Sequence, residues 1–306
     1  MNTLQLDILE QISGIRDIPA IGAYNIRLDG QSAGRASSSN ITISPKEGGT
    51  GLDIDIQPGT RGETVYIPVV ISSTGLEEVV LNDFHVGEGA DVKIVAGCGI
   101  HNCGKHKSQH DGIHTFHLGK DSRVVYIEKH YGDGDGGGQR VLNPVTDVFM
   151  EKGSYMEMDT VQIKGVDSTK RLTRAKMAED TTLIVKEKLM TNGDQFAETR
   201  FEVDMNGAGS SSNLISRSVA KDRSRQTFLS EINGNNACMG HSECDAIIME
   251  SACVRAIPEI TANHVDASLI HEAAIGKIAS EQIVKLMSLG LNRKEAEEQI
   301  INGFLK

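Results

Sequence analysis

FHVGEGADVKIV, residues 84–95, consists of an alternating apolar stretch, a turn of small and charged residues, and a second alternating stretch. The pattern returns as FHLGKDSRVVYI from Phe116, VFMEKGSYMEMD from Val148, AKMAEDTTLIVK from Ala175, RSVAKDRSRQTF from Arg217 and IIMESACVRAIP from Ile247. The third position is apolar in every copy: Val86, Leu118, Met150, Met177, Val219 and Met249. A period of two on both sides of a Gly/Asp/Ser/Lys turn spells strand, turn, strand. Most copies start roughly 26 to 32 residues after the one before, the spacing of coils in a stacked solenoid whose neighbours bury each other's apolar faces. A mainly β chain wound as a parallel β-helix follows. A meander of antiparallel hairpins uses similar turns but does not call for that regular period.

Outward from this core the pattern changes. TLQLDILEQI at 3–12 places Leu4, Ile8 and Ile12 on one helical face. After Pro19 comes loop-like Gly- and Ser-rich sequence at 29–50, then strand-like LDIDI and TVYIPVVIS. The last thirty or so residues read as a helical pair. Ser280 is placed to cap EQIVKLMSL, which stops at Gly290, and Asn292 with Glu295 makes a capping box. Such ends are expected to cover the open coils of a solenoid. The expected division is 1–50, an N-terminal helix and irregular segment; 51–272, the β-helix; and 273–306, the helical end.

The 306 residues include 32 Gly and no Trp, which suits short strands and tight turns better than a helical bundle. Net charge is −11, with Lys and Arg dispersed, so no footprint for a nucleic-acid backbone exists. No apolar run is long enough to span a membrane, and the start does not resemble a signal peptide, so a cytoplasmic protein is expected. Five cysteines are too few for a disulfide framework, and in a reducing compartment they point to metal or sulfur chemistry.

CGIHNCGKHKSQHDGIHTFH, residues 98–117, collects Cys98, His101, Cys103, His106, His110, His114 and His117. Thiolates with imidazoles suit zinc, iron or copper(I), although the spacing matches no standard zinc finger and several of these histidines are expected to be solvated. A second cluster holds Cys238, His241, Cys244 and Cys253, with His264, His271 and Glu272 about one coil further on. Stacking would bring Cys244 towards His271 and Glu272. Neighbours on a regular strand point to opposite faces, so His271 and Glu272 share a site only across a bulge or with a second chain. Cys253, between Ala252 and Val254, reads as a small buried hydrophobe. The stretch YGDGDGGGQR at 131–140 lacks the Gly-Lys-Ser/Thr ending of a P-loop and reads as a flexible loop, and no nucleophile elbow is present.

With these residues located, the chain resembles the SufB/SufD family of iron–sulfur cluster assembly proteins. The likeness is densest in CDAIIMESAC at 244–253, ASLIHEAAIGKI at 267–278, SEQIVKLMSLGL at 280–291 and EAEEQIINGF at 295–304. It reaches back through AGCGIH at 96–101 and DIQPGTRGETVYIPVVIS at 55–72. It implies a right-handed parallel β-helix with terminal helices, acting as a non-enzymatic scaffold for a transient iron–sulfur cluster and its iron. By resemblance Cys244, His271 and Glu272 fall on the site of cluster formation. Cys98 falls on the acceptor of persulfide sulfur, which calls for a lowered pKa and partial exposure. Cys103, His101, His106 and His114 are further candidate ligands.

The implied partners are a SufC-like ABC-type ATPase docked on the C-terminal helices through Ile283, Leu286, Leu289 and Ile300, a second copy of the chain, and a cysteine-desulfurase-type sulfur donor. Two other readings stand beside this one: a solenoid zinc or iron protein using the 98–117 cluster, and a SufD-like structural partner without a cluster. The chain lacks most of the long N-terminal region of larger members, and the histidine-rich stretch after Cys98 is not theirs.

Overall fold

The structure, a computed structural model, describes residues 1–17 and 22–306; Pro19 lies outside them. Strands wind alternately between two sheets, each ten-stranded among the described residues. In spatial order the first holds β2 (Gln31–Ala36), β1 (Ala23–Leu28), β5 (Arg61–Ile71), β7 (Asp91–His101), β9 (Arg123–Asp133), β12 (Tyr155–Lys164), β14 (Thr182–Thr191), β16 (Ser211–Ala220), β18 (Met239–Ile248) and β20 (Ser268–Gly276). The second runs from β3 (Ile41–Pro45) and β4 (Gly51–Ile56) through β6 (Glu77–Val86) and β8 (Ser108–Leu118). It continues through β10 (Arg140–Leu142) with β11 (Val145–Met150), then β13 (Ser168–Met177), β15 (Phe196–Met205), β17 (Arg225–Gly234) and β19 (Cys253–Ala262). All pairings are parallel except two hairpins, β1 with β2 and β3 with β4, which start the two sheets. The parallel β-solenoid expected from the repeat is present.

Register stacks like on like. Ile54, Phe84, Phe116, Val148, Ala175, Val203 and Ile232 follow one another across the second sheet, all buried in one core. Phe84 and Phe116 lie face to face with centroids 4.4 Å apart. Each fully buried side chain of this kind contributes about 2 kcal/mol. At one corner of five successive coils a residue adopts a left-handed backbone, filled in turn by Gly89, Asp121, Gly153, Asp180 and Gly209. Glycine enters that region without penalty and aspartate more readily than most residues. Corner amides donate to the next coil, as Gly89 to Lys120 O at 2.9 Å and Asp121 to Lys152 O at 3.0 Å, so turns stack as the strands do.

The aligned segments from Phe84 to Ala175 straddle this corner, whereas those from Arg217 and Ile247 straddle the opposite one, at Asp222 and Glu250. The coil turning at Gly207–Ser210 escaped the alignment. Both corners use small and acidic residues, so their patterns look alike in sequence. Residues 29–50, read as loop, carry β2 and β3, short strands whose weak alternation hides them.

Helix α1 (Thr3–Ser13) lies on the outer face of the first sheet, burying Ile8, Leu9 and Ile12. Gly99 makes room for it: a β-carbon there would sit 2.1 Å from Ile8 Cγ2. At the other end, α2 (Ser280–Ser288) and α3 (Arg293–Phe304) pack on each other. Asn292 and Glu295 form the expected capping box, but Ser280 is the first helical residue and Ala279 occupies the cap position without a side-chain bond. The pair does not seal the stack. Ile260 ends the inward column after fully buried Ile232 and is 41% exposed, and most of β19 and β20 is exposed as well. Among the described residues no helix is long and apolar enough to cross a membrane.

Candidate functional site

Inside the solenoid three adjacent inward rows of the first sheet carry the polar side chains and two of the cysteines. One runs Cys98, His130, Gln162, Leu189, Ser218, Ala246. The next runs Ala96, Glu128, Thr160, Glu187, Ser216, Cys244, Ala273. The third contains Tyr126 and ends in Ser242 and His271. Cys98 and Cys244 are thus both interior, five strand steps apart, or about 24 Å at the usual strand spacing.

Buried polar groups fill the interval. Asn82 Nδ2 lies 3.2 Å from His114 Nε2, and His114 Nδ1 lies 2.8 Å from the Tyr126 hydroxyl, which donates to Glu128 at 3.0 Å. Arg171, reaching across from β13, is paired with Glu128, lies 3.3 Å from His130 Nδ1 and 3.8 Å from Glu187. Glu187 accepts from Thr199 and Ser216, each at 2.7 Å, and Ser216 is the register neighbour of Cys244. At the other end His130 is the register neighbour of Cys98.

Burial works to raise the Glu128 pKa, yet Arg171 and His130 hold it well below the ordinary carboxylate value. Burial would lower that of Arg171, and Glu128 and Glu187 raise it. A buried ion pair of this kind stands because each charge is compensated. Burial pushes His114 down to about 4, so it is neutral at physiological pH. The lumen is tightly filled: the cavity beside Arg171, Glu187 and Gln162 is about 10 Å³, room for about one water. Thr160 Oγ1, Thr173 Oγ1 and Asn82 Oδ1 are buried without a hydrogen-bond partner.

The thiols of Cys98 and Cys244 hold their protons. Burial, seconded by Glu78 and Glu128, raises the Cys98 pKa well above the thiol value, and burial with Glu187 and Asp245 pushes Cys244 up to about 12. The depressed pKa and partial exposure expected of Cys98 are absent: it is 2% exposed among Val69, Ile71, Ile100, Leu142 and Val166. The physical reason is its inward phase on β7, with α1 covering the backbone behind it.

The pairing of β18 with β20 is regular, without a bulge, so His271 faces inward beside Ser242 while Glu272 faces out, 3.6 Å from His241 Nε2. Cys244 and His271 therefore share the interior, two positions apart in register, and Glu272 does not join them within one chain. Among the described residues, no three metal-binding side chains converge on one point.

The histidine-rich stretch is dispersed by the alternation of β7 and β8. His110 is buried against Glu78 at 3.1 Å, His114 joins the lumen network, and His117 stacks outside between His85 and Phe149. His106 is exposed on the intervening turn, as is Cys103, which lies 2.9 Å from His101 Nε2. Cys253 is exposed rather than buried, because it lies on the outward phase of β19, in register with exposed Arg225. The glycine-rich segment after Asp133, read as a flexible loop, is bonded to the turn beneath it: Gly136 donates to Asn102 O at 3.2 Å and Gly138 to Gly104 O at 2.9 Å. In the helical pair Ile283 is buried, Leu286 and Ile300 are half-buried, and Leu289 is exposed beside outward-facing Val284 and Met287.

Glu128, Arg171, Glu187, His130 and Gln162 were not singled out from the sequence. The available signal was a charged residue recurring at the same parity as apolar ones, as Arg171 does with Ala175 and Met177.

A family model described as "SUF system FeS cluster assembly, SufBD core domain" matches residues 75–304. An iron–sulfur cluster assembly SufBD family protein of Pyrococcus horikoshii is 28% identical over 267 residues, covering 85% of this chain and 78% of that protein. One of Archaeoglobus fulgidus is 29% identical over 220 residues, covering 72% of this chain and 58% of its own length. The iron–sulfur cluster assembly protein SufB of Bacillus subtilis is 32% identical over 100 residues, 31% of this chain and 22% of that protein.

Proposed function

The chain belongs to the SufBD family of the SUF iron–sulfur cluster assembly system, and from that premise we propose that it is the scaffold on which a cluster is built, with iron and sulfur as its substrates. One observation carries the reading: an unbroken line of buried polar side chains joins the neighbourhood of Cys98 to that of Cys244 inside an otherwise apolar coil stack. Buried charge is costly and is compensated here side chain by side chain.

In this reading Cys98 carries sulfur inside the wall and Cys244 ligates iron, with His271 as the imidazole on the same interior surface. His130, Arg171, Glu187 and Ser216 supply donors and acceptors for a small anionic sulfur species between them. Iron binding displaces the proton that burial keeps on Cys244, and a borderline ligand set leaves the product labile enough to be passed on. Glu272 completes such a site from a second copy, and the bare edges of β19 and β20 supply the pairing surface for a homodimer. A SufC-like ATPase docks on α2 and α3 through Leu289 with Val284 and Met287, and a cysteine-desulfurase-type protein furnishes sulfur.

Anaerobic reconstitution with iron and sulfide tests the scaffold. The wild-type chain is expected to develop sulfur-to-iron charge-transfer absorption, and Cys244→Ala to lose it. Undiminished absorption in that variant refutes the assignment of Cys244.

A further inference from the structure

A sulfur donor cannot reach Cys98 first. Its thiol is 2% exposed and keeps its proton, whereas attack on a sulfur–sulfur bond needs a reachable, deprotonated thiol. Five residues on, the wall presents a different cysteine. Cys103 is exposed on the turn after β7, with its Sγ 2.9 Å from His101 Nε2. His101 and Asp133 are register partners on β7 and β9. Their pairing sets His101 Nδ1, shielded from solvent and without a hydrogen-bond partner, 3.6 Å from Asp133 Oδ2.

The turn is fixed from beneath. Fully buried Asn102 donates to His106 O at 2.8 Å and accepts from the Gly104 amide at 3.0 Å, and Gly136 and Gly138 bond the same turn from the next coil. Nucleophile, base and carboxylate therefore stand in sequence on a braced, solvent-facing corner, the arrangement that activates a cysteine. Cys253, the other exposed cysteine, has no such partner among the described residues.

We propose that Cys103 is the first acceptor of sulfane sulfur, taking it from a donor persulfide with His101 as base; this rests on the scaffold reading above. His101 Nε2 removes the Sγ proton, and the imidazolium so formed faces the Asp133 carboxylate. Sγ attacks the outer sulfur of R–S–SH, forming a new sulfur–sulfur bond as the donor's breaks. The electron pair leaves on the donor sulfur, which takes the proton from His101. The products are Cys103 persulfide and the donor thiol. Cys103 is oxidised as far as the donor is reduced, and no outside oxidant enters.

The full chain, His101→Gln and Cys103→Ser are treated anaerobically with glutathione persulfide for short times, quenched by alkylation and mapped by peptide mass. Cys103 is expected to gain one sulfur atom at least about tenfold faster than Cys253, and His101→Gln to erase that advantage while Cys253 reacts as before. Equal rates at the two cysteines, or an unchanged Cys103 rate in His101→Gln, overturn the proposal. Inorganic sulfide with iron bypasses the donor step, so Cys103→Ser is expected to assemble a cluster from sulfide as the wild type does. A wild type that assembles nothing from sulfide refutes the scaffold. A wild type that assembles while Cys103 labels no faster than Cys253 refutes only this step.

Discussion

His114 shows how far a single environment moves one residue. Unfolded, it takes up a proton near pH 6.5; folded, burial pushes that value down to about 4. Between the two the unfolded chain binds more protons than the folded one, so stability rises with pH across that window and is lost as pH falls through it. The limit for this residue is about 3 kcal/mol. Glu128, held low by Arg171, acts in the same direction on the acid side. Urea midpoints measured above and within the window are expected to drop for the wild type and to drop less for His114→Gln. The approach of the inward imidazole at 271 to Cys244 was legible from spacing, since one coil of separation in sequence meant neighbouring strands in space. The charges between Cys98 and Cys244 were not, because alternation shows which residues share a face and does not say which face is inside. Only the packed coil reveals that Glu128, Arg171 and Glu187 lie on the core side.

At the scale of elements, the two glycines around Cys98 have different partners from the cysteine itself. The thiol points in, while Gly99 receives α1 at a contact too close for any β-carbon. Gly99→Ala is therefore expected to push α1 off the sheet and cost about 1–3 kcal/mol, read as an earlier urea midpoint together with faster proteolysis within the first helix. The strands of the repeating coils were readable because alternation and turn chemistry agreed there. Their phase was less so: the corner at Asp121 and Asp180 and the corner at Asp222 use the same residue types, and an alignment by type alone slides from one to the other.

The two ends of the molecule are finished differently. Two hairpins and α1 finish the N-terminal coils, whereas the final coil leaves the column position Ile260 and the outward Ile270 uncovered, at 41% and 52% exposure. A terminal coil with unpaired strand edges templates association unless it is covered. The expected outcome is a dimer in sedimentation velocity, with Ile260→Lys and Ile270→Lys shifting it to monomer at unchanged helix and strand content. The sequence led to the expectation that α2 and α3 would cover this end. They pack on each other instead, burying Ile283, Ala296 and Ile301, which an amphipathic pattern does not distinguish from packing on a sheet.

Stacked coils also make the wall a graduated ruler. Inserting or deleting one repeat between β9 and β16 would alter the span from Cys98 to Cys244 by one notch of about 4.8 Å while each terminus kept its own surroundings. Reach along the interior is thus inherited in whole increments, set by how many turns the gene encodes and not by any one side chain.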